Sequence, residues 1–274
     1  MSRNDIAFRN ARKVRAMISV VCVYNNKSVL DMCLLPGLEK QSAGHELILL
    51  DNTERRYRSA ADALNDGGKR AKGKYVMFIH QDVAIGSPVW LDEVERTLDS
   101  LPNLGAAGVA GVRDRRGVIS NITHCDPPKP GGDVRIDVPE KVQTLDECVI
   151  VIPSQVFGEL KFDGRTCDNW HLYGVDLCLT LGERGLDVYV IPGAAHHMTF
   201  STGSTKSIFK IFSPGAWPAD YYRSLKKILR KHRKHYRRVY TTCGIWNTSY
   251  PVSLQRAYFI LYAYALFYKK RLFP

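Results

Sequence analysis

The 274-residue sequence has no apolar run long enough to cross a membrane, and its cysteines follow no ligand or disulfide pattern. The longest apolar run, residues 257–268, has twelve residues, whereas a spanning helix needs roughly 18 or more. Cysteine occurs seven times, an odd number, with no C-x-x-C pair and no zinc-site spacing. Free thiols of this kind are usual in a reducing compartment, so the sequence predicts a cytoplasmic protein.

Glycine is missing from the turn after the first predicted strand. Tyr24 to Val29 has the sequence YNNKSV, whereas a dinucleotide-binding oxidoreductase carries G-x-G-x-x-G at that place. A nucleotidyltransferase normally has a glycine-rich, basic loop there. Both classes of enzyme are therefore disfavoured.

Acidic residues are missing from the last fifth of the chain. From Tyr221 to Pro274 there are 13 lysines and arginines and no aspartate or glutamate, whereas residues 1–220 contain 26 basic and 27 acidic residues. The net charge of +12 therefore comes from a basic segment attached to a nearly neutral body. Residues 1–16 form a further, short basic arm.

The C-terminal segment, residues 221–274, combines a basic helical pattern with a tyrosine-rich apolar stretch. Residues 221–240 contain nine lysines and arginines, with apolar residues at helical spacing. Residues 257–268 contain four tyrosines and precede KKR, a combination typical of an in-plane anchor on anionic lipid. A helical hairpin packed on the body is the structural alternative. Nucleic-acid binding is the rival function, but it leaves the neutral body without a purpose.

Three apolar runs separated by helical patterns predict an α/β fold. Ile18–Tyr24, Glu46–Leu50 and Tyr75–Ile79 have the composition of buried strands. Helices are expected from Ser28 to Glu39 and from Ala60 to Ala71. This alternation predicts that the first three strands form a parallel sheet.

Polar residues follow each of these strands at the point where it ends. The tips are Tyr24-Asn25, Asp51-Asn52 and His80-Gln81-Asp82, and the carboxyl ends of parallel strands share one edge of a sheet, where ligands bind. Asp82 could hold a divalent cation against a diphosphate there, because hard cations prefer oxygen ligands. The alternatives are that each tip is a solvated turn and that Asp82 caps the helix that follows near Pro88.

Further strands, a loop and a pair of histidines are predicted downstream. Apolar runs predict strands over 105–112, 145–152 and 188–191, and DPPKPGGD predicts a loop over 126–133. His196 and His197 follow the last of these strands. Neighbouring side chains on extended backbone point in opposite directions, so at most one of the two should face the site.

Five stretches of sequence together have the order and spacing of a known enzyme family. They are ISVVCVYNN, LLDN, Asn65 through GKYVMFIHQDV, FDGRTCDNWHLYGVDLCL and HHMTFSTGS. The set resembles family 2-type glycosyltransferases and covers residues 17–205, with residues 206–220 as a lid or linker. The resemblance implies the α/β nucleotide-sugar-binding fold called GT-A, a Rossmann-like mixed sheet flanked by helices, followed by the basic, aromatic helical extension.

The resemblance also implies which positions bind the nucleotide-sugar donor. These positions are Tyr24, Asn25, Asp51, Asn65, Gln81 and Asp82. Tyr24, Asn25 and Asp51 would hold the base and the ribose.

The cofactor that the resemblance implies is a divalent metal, Mn²⁺ or Mg²⁺. Asp82 is the last acid of a D-x-D-like motif and would bind the ion that bridges the diphosphate, while His196 or His197 would complete the site. His80 stands where the first aspartate of the motif usually lies, which departs from the family pattern. Imidazole and carboxylate together tolerate Mn²⁺ as well as Mg²⁺.

An inverting sugar transfer needs a base that deprotonates the acceptor hydroxyl. The resemblance places it at the start of the helix before the late histidines, in the segment HLYGVD. Gly174 occupies a position where many relatives carry an acid, so the candidates are Asp176 and then Asp168, with His171 as an orienting partner or acceptor contact. The alternative role of Asp176 is to stabilise the N-terminus of its own helix.

The sequence is therefore interpreted as a metal-dependent, inverting glycosyltransferase that moves a sugar from a nucleotide-sugar to a hydroxyl of a glycan or lipid-linked acceptor. Surface polysaccharide synthesis is the expected setting, on the inner face of the membrane and with no nucleic-acid partner. The alternatives are a non-catalytic protein, since His80 and Gly174 both replace expected acids, and a nucleic-acid-binding protein that uses the basic C-terminal helices.

Overall fold

The computed structural model describes residues 18–125, 127–198 and 217–261. The predicted N-terminal arm, most of the predicted lid or linker, and the end of the apolar C-terminal stretch lie outside these residues.

Sixteen strands and eight helical segments lie within the described residues. The strands are β1 Ile18–Tyr24, β2 His45–Asp51, β3 Tyr75–Ile79, β4 Val83–Ala84, β5 Leu104–Gly108, β6 Ala110–Val112, β7 Val118–Ser120, β8 Thr123–His124, β9 Lys129–Pro130, β10 Glu140–Lys141, β11 Thr144–Leu145, β12 Val149–Pro153, β13 Asp187–Val190, β14 His196–His197, β15 Arg238–Thr241 and β16 Gly244–Asn247. The helices are α1 Lys27–Met32, α2 Leu34–Glu39, α3 Ala60–Arg70, α4 Trp90–Ser100, α5 Ser154–Glu159, α6 Tyr173–Glu183 and α7 Ala219–His232. Residues 252–261 are also helical.

A seven-stranded mixed sheet is the framework of the protein, with strand order β10-β13-β5-β12-β3-β1-β2. β1, β2 and β3 are parallel, as the alternating pattern predicts. β12 is inserted antiparallel between β3 and β5. The start of β12 therefore lies at the same edge as the end of β3, and Val149 pairs with Ile79.

The core lies on both faces of this sheet, because its central strands are apolar on both sides. Every residue of β3 is buried. Val21 and Phe78 belong to the cluster under α3 and α6, whereas Val20 and Met77 belong to the cluster on the opposite face under α4. This alternation is what a strand covered by helices on both faces requires.

Several sequence expectations differ from the observed elements: the predicted helix 28–39 divides into α1 and α2 at Cys33, and the predicted strand 145–152 divides between β11 and β12. The run 105–112 is two strands, because β6 leaves the main sheet and pairs with β7 and β11. The stretch predicted as a loop over 126–133 contains β9, which pairs with β8 at the edge of a four-stranded sheet. Pro130 is compatible with an edge strand because the missing N–H is not needed by a further neighbour.

The described part of the C-terminal segment packs on the body. α7 buries Tyr221, Leu225, Ile228 and His232, and the β15–β16 hairpin adds the fully buried Trp246 to the same core cluster. These residues form the packed arrangement that the sequence left as an alternative to an anchor. Among the described residues, no helix combines the length and apolar character that a bilayer crossing requires.

Candidate functional site

A cavity of about 780 Å³ opens at the edge of the sheet where β1 and β3 end. The residues after β3 line it, as do the loop after β2, the start of α3, and Glu147, Trp170 and Tyr173 from the other side. This is the edge at which the sequence predicts ligand-binding tips, and open α/β sheets bind ligands there.

Three side chains at this edge converge as a candidate metal centre. Ligand atoms of His80, Asp82 and His197 all lie within 4.8 Å of one another. The short strand β14 pairs antiparallel with β4, which sets His197 opposite Val83. His197 Nε2 lies 3.2 Å from Asp82 Oδ1, so the cluster joins residues more than a hundred positions apart.

The two adjacent histidines of β14 point in opposite directions. His197 faces Asp82, whereas His196 Nδ1 lies 2.9 Å from the hydroxyl of Thr123 on β8. The structure thus brings His197 to the cluster and leaves His196 outside it. Asp82 does not cap the following helix, since α4 begins after Val89 without a side-chain cap.

The electrostatics of the cluster favour an ionised carboxylate beside imidazoles. Burial opposes the charge on Asp82, but the hydrogen bond and charge of His197 outweigh it, and the pKa of Asp82 lies below its ordinary value. Burial also opposes charge on His197, yet Asp82 raises the pKa of that imidazole. His80 is dominated by burial, which lowers its pKa and keeps the ring neutral.

This donor set fits a divalent transition metal. One carboxylate and two imidazoles are ligands that suit Mn²⁺ and its neighbours in the first row, whereas Mg²⁺ prefers oxygen alone. His80 was not predicted as a ligand, although a histidine two residues before an aspartate in a D-x-D-like motif is itself a recognisable signal. Its Nε2 also lies 3.2 Å from the hydroxyl of Tyr173.

The tips of β1 and β3 are joined by their amide side chains. Gln81 Oε1 accepts hydrogen bonds from the backbone N–H groups of Asn25 and Asn26, and Gln81 Nε2 donates to Asn25 Oδ1 over 2.7 Å. Asn25, Gln81 and Asp82 therefore line the cavity together.

Three other predicted donor-site residues lie beside the cavity rather than in its wall. The Tyr24 hydroxyl donates to Asp51 over 2.9 Å, and Thr53 donates to Asp51 with both its backbone N–H and its hydroxyl, which holds the pKa of Asp51 below its ordinary value. Asn65 uses both ends of its amide on the backbone of Phe162. It fastens α3 to the segment after α5.

The candidates for the catalytic base are held in ion pairs by α7. Asp176 is buried, and Lys231 Nζ lies 2.7 Å and His232 Nε2 2.9 Å from its carboxylate. Asp168 pairs with Lys227 over 2.9 Å. His171 Nε2 lies 3.8 Å from Asp220. The cavity wall includes none of these three predicted residues.

Glu147 is a cavity carboxylate outside the set of site residues predicted from the sequence. It precedes β12, and its Oε1 accepts the backbone N–H of Gly174 over 2.9 Å. Burial raises its pKa to about 8. The sequence does carry a signal for it, since the acidic pair Asp146-Glu147 lies directly before an apolar strand. This signal points to the site only if the strand is antiparallel to β3, because only then does its start lie at the edge where β3 ends.

Comparison with solved structures identifies the fold. The chain is similar to the mannosyltransferase PcManGT from Pyrobaculum calidifontis, in complex with GDP-Man and Mn²⁺, with a TM-score of 0.53 at 12% identity over 82% of this chain and 66% of that one. It is similar to GalNAc-T7 with UDP, GalNAc and Mn²⁺, with a TM-score of 0.54 at 10% identity over 80% and 48%. It is also similar to residues 1–349 of S. aureus TarS in complex with UDP, with a TM-score of 0.51 at 14% identity over 77% and 64%. The chain has the GT-A fold.

At the level of sequence, the comparisons are sparse. A protein of Fuscovulum blasticum, called ATP synthase subunits region ORF 6, is 31% identical over 136 residues, which are 47% of this chain and 53% of that protein. No family model matches the chain. The GT-A chain thus spans between about half and two thirds of the length of the proteins it resembles.

Proposed function

We propose that the protein is a metal-dependent glycosyltransferase that uses a nucleotide-sugar donor. The observation that carries the proposal is the His80–Asp82–His197 cluster at the carboxyl end of β3 in a GT-A sheet, of which His80 and Asp82 line the cavity. When bound there, a divalent ion would neutralise charge on the diphosphate leaving group. The similar structures, which contain UDP or GDP-Man and, in two cases, Mn²⁺, support the same assignment.

Different residues of the chain would contact the metal and the nucleotide of the donor. His80, Asp82 and His197 would hold the metal, with Mn²⁺ preferred to Mg²⁺ because two of the three ligands are imidazoles. The amide pair Asn25–Gln81 would fix the tips of β1 and β3 around the nucleotide.

The test is calorimetric titration of UDP and GDP into the protein with Mn²⁺, with Mg²⁺ and without metal, comparing the wild type with Asp82→Asn. We expect metal-dependent binding in the wild type that weakens at least tenfold in the variant, because a neutral amide replaces the only charged ligand of the cluster. Asp137→Asn is the matched control, since Asp137 is exposed and lies away from the cavity lining.

Two results would count against the proposal. Binding of neither nucleotide under any metal condition would favour a non-catalytic protein. Equal metal-dependent binding by wild type and Asp82→Asn would place the metal elsewhere.

The finer proposal is an inverting transfer to a hydroxyl of a glycan or lipid-linked acceptor, on the inner face of a membrane, in surface polysaccharide synthesis. The membrane location is supported by the exposed face of the helix 252–261, where Leu254, Tyr258 and Leu261 are 59%, 63% and 69% exposed. The opposite face is fixed to the body, because Phe259 packs edge-on against Trp246. An apolar and tyrosine-bearing face on a basic segment is suited to the surface of an anionic bilayer.

A further inference from the structure

We infer that Glu147 is the group that removes the proton from the acceptor hydroxyl, an inference that rests on the proposed glycosyl transfer. Glu147 would then be the catalytic base in place of Asp176 and Asp168, the two candidates predicted from the sequence. Glu147 is delivered to the cavity by an antiparallel strand, is accommodated there by a glycine, and within the described residues is not paired with a cation as the alternative carboxylates are.

The antiparallel strand β12 delivers Glu147 to the metal edge of the sheet. β3 ends at Ile79 and β12 begins beside it, with Val149 opposite Ile79 and the backbone N–H of His80 donating to the carbonyl of Cys148 over 3.0 Å. The residues that precede β12 therefore lie next to those that follow β3. Glu147 and Asp82 consequently line one cavity, although they are 65 positions apart in the sequence.

A glycine at the start of α6 makes the space for the Glu147 side chain. A Cβ on Gly174 would lie 3.0 Å from Glu147 Cγ and 2.7 Å from Ile150 Cδ1. Without that Cβ, Glu147 reaches the backbone N–H of Gly174 over 2.9 Å. Position 174 thus lacks the acid that many relatives carry, but its glycine leaves room for the carboxylate of Glu147, which precedes the neighbouring strand β12.

The turn before α6 is shaped around the same carboxylate. Leu172 adopts a left-handed conformation with φ 65°, which is costly for a branched aliphatic residue. The backbone N–H groups of Leu172, Tyr173 and Gly174 all stabilise the charged form of Glu147. Backbone strain of this kind persists where the surrounding structure requires it, and here it directs amide groups at one side chain.

The surroundings of Glu147 keep a proton exchangeable near neutral pH. Burial raises the pKa of Glu147 to about 8, against the opposing pull of the Gly174 N–H. A base is most effective when its pKa lies near the operating pH. Among the described residues, titratable groups whose charge interacts with that of Glu147 include Asp146 on its own segment, Cys167 before α6, Tyr173 and Cys178 on α6, Tyr221 on α7 and Cys243 in the β15–β16 turn. None of these six is a lysine, arginine or histidine that would hold the carboxylate permanently ionised.

The two alternative carboxylates, Asp176 and Asp168, are held in ion pairs with residues of α7. Asp176 is buried between Lys231 and His232, and a proton transfer to it would leave two α7 partners without their anion. Asp168 is held by Lys227 at the surface. A carboxylate that is paired with a cation is a weaker base than one that is not.

The step balances as a single displacement. The acceptor oxygen forms a bond to the anomeric carbon of the sugar while the bond from that carbon to the diphosphate oxygen breaks. The electron pair of the broken bond leaves with the nucleoside diphosphate, and the hydroxyl proton passes to a carboxylate oxygen of Glu147. Water can take the place of the acceptor, in which case the products are the free sugar and the nucleoside diphosphate.

The test compares wild type with Glu147→Gln, which keeps the size of the side chain and an oxygen that can accept from Gly174 N–H. UDP-GlcNAc, GDP-mannose and a panel of other sugar nucleotides are supplied with Mn²⁺, and release of nucleoside diphosphate to water is measured. We expect the rate to fall by about 10²–10⁴-fold, the usual contribution of a general base. Binding of UDP or GDP with Mn²⁺ should stay within about twofold of wild type. Glu159→Gln, an identical change on the exposed end of α5, should retain the wild-type rate.

Azide separates proton removal from positioning. The azide ion attacks without losing a proton, so it has no need of a base. Added to Glu147→Gln, it should restore nucleotide release and yield the glycosyl azide.

Each other outcome has a definite meaning. Equal rates in wild type and Glu147→Gln would overturn the role of Glu147 and leave the glycosyltransferase intact. A loss that azide does not restore would also overturn it, since the side chain would then hold substrate rather than take a proton. Release from no sugar nucleotide by the wild type would overturn the proposed function and this inference together.

Discussion

The pKa values of two carboxyl groups in the cavity are shifted in opposite directions, and the two groups therefore suit different roles in the reaction. Asp82 has a lowered pKa because His197 stabilises its charge, whereas Glu147 has a raised one because burial opposes its charge. A carboxylate that stays ionised suits a metal, and one that gains and loses a proton suits acid–base chemistry. Two acids in one cavity can therefore serve one reaction in separate roles.

The rate of nucleotide release should depend on the state of Glu147. A raised carboxyl pKa means that Glu147 is protonated and inactive below about pH 8 and becomes an active base above it. We expect the rate of the wild type, at saturating donor and Mn²⁺, to rise through that pH and then level off. Glu147→Gln should lack this rise.

Proton competition at the metal ligands is the control for this profile. His197 has a raised pKa, so protons should weaken metal binding at low pH. Titration of Mn²⁺ and UDP at each pH separates that loss of binding from the loss of the base. A flat wild-type profile under saturation would contradict the prediction.

The individual site residues were predictable to the extent that the signal was local. Asn25, Gln81 and Asp82 follow strands in a pattern that places them at one edge, and the opposite directions of His196 and His197 follow from extended backbone. Glu147 was not predictable in this way. Its position depends on β12 running antiparallel, which is a long-range property that the apolar run itself does not encode.

At the scale of single elements, α3 shows why a helix can tolerate two consecutive glycines. A Cβ on Gly67 would overlap Val21 of β1, and a Cβ on Gly68 would overlap the ring of Phe157. The Gly67-Gly68 pair lowers intrinsic helix propensity, but it lets α3 lie close against β1 and α5. Tertiary packing thus offsets a local cost.

Gly68→Ala should reduce the free energy of unfolding. Phe157 also packs against Phe78 and Phe162, so its ring cannot easily move. Overpacking of this kind costs about 1–3 kcal/mol, which should exceed the gain of up to about 1 kcal/mol from replacing a helical glycine. Denaturant unfolding of the two proteins measures the difference.

Gly158→Ala is the matched control for this substitution. Gly158 is a helical glycine of α5, and a Cβ there would meet nothing within 4 Å. It should therefore leave stability unchanged or raise it. If Gly68→Ala behaved like Gly158→Ala, close packing would not be the reason for glycine in α3.

At the scale of the whole molecule, the C-terminal segment belongs to the body as well as to a candidate membrane surface. The β15–β16 hairpin holds the segment that leads to Glu147, because Gln143 exchanges hydrogen bonds with the backbone of Arg238 and Tyr240, and Thr242 donates to Asp146. Removing the segment would damage the site. Point substitutions are therefore the proper test of membrane binding.

The double variant Leu254→Glu/Leu261→Glu should lose affinity for anionic vesicles. Both side chains are exposed on the helix 252–261, and acidic residues there would be repelled by anionic lipid and could not enter the interface. In sedimentation with phosphatidylserine-containing vesicles, we expect strong wild-type binding that salt weakens and a several-fold loss in the variant. Val138→Glu, at another exposed apolar residue, is the control. Equal sedimentation of all three proteins would contradict the membrane proposal.

Much of the overall fold could be predicted because it depends on regular patterns. The order of the first three strands and their helices follows from alternating apolar runs. The packing of α7 could not be chosen from sequence, since an amphipathic basic helix is equally compatible with lipid and with a protein surface. In the described residues, the buried tyrosines and His232 of α7 show that this helix packs on the protein.

The ion pairs between Asp176 and α7 also affect when the chain can complete its folding during translation. All seven strands of the main sheet have been made once Val190 is added, but the buried carboxylate of Asp176 must await His232, 56 positions later than itself. Until then Asp176 has neither of its α7 partners, and the core cluster that Leu225 and Ile228 of α7 complete stays open to water. The nascent protein should therefore reach its stable state only after α7 has left the ribosome. A product of premature termination before α7 would be a substrate for proteolysis rather than a weak enzyme.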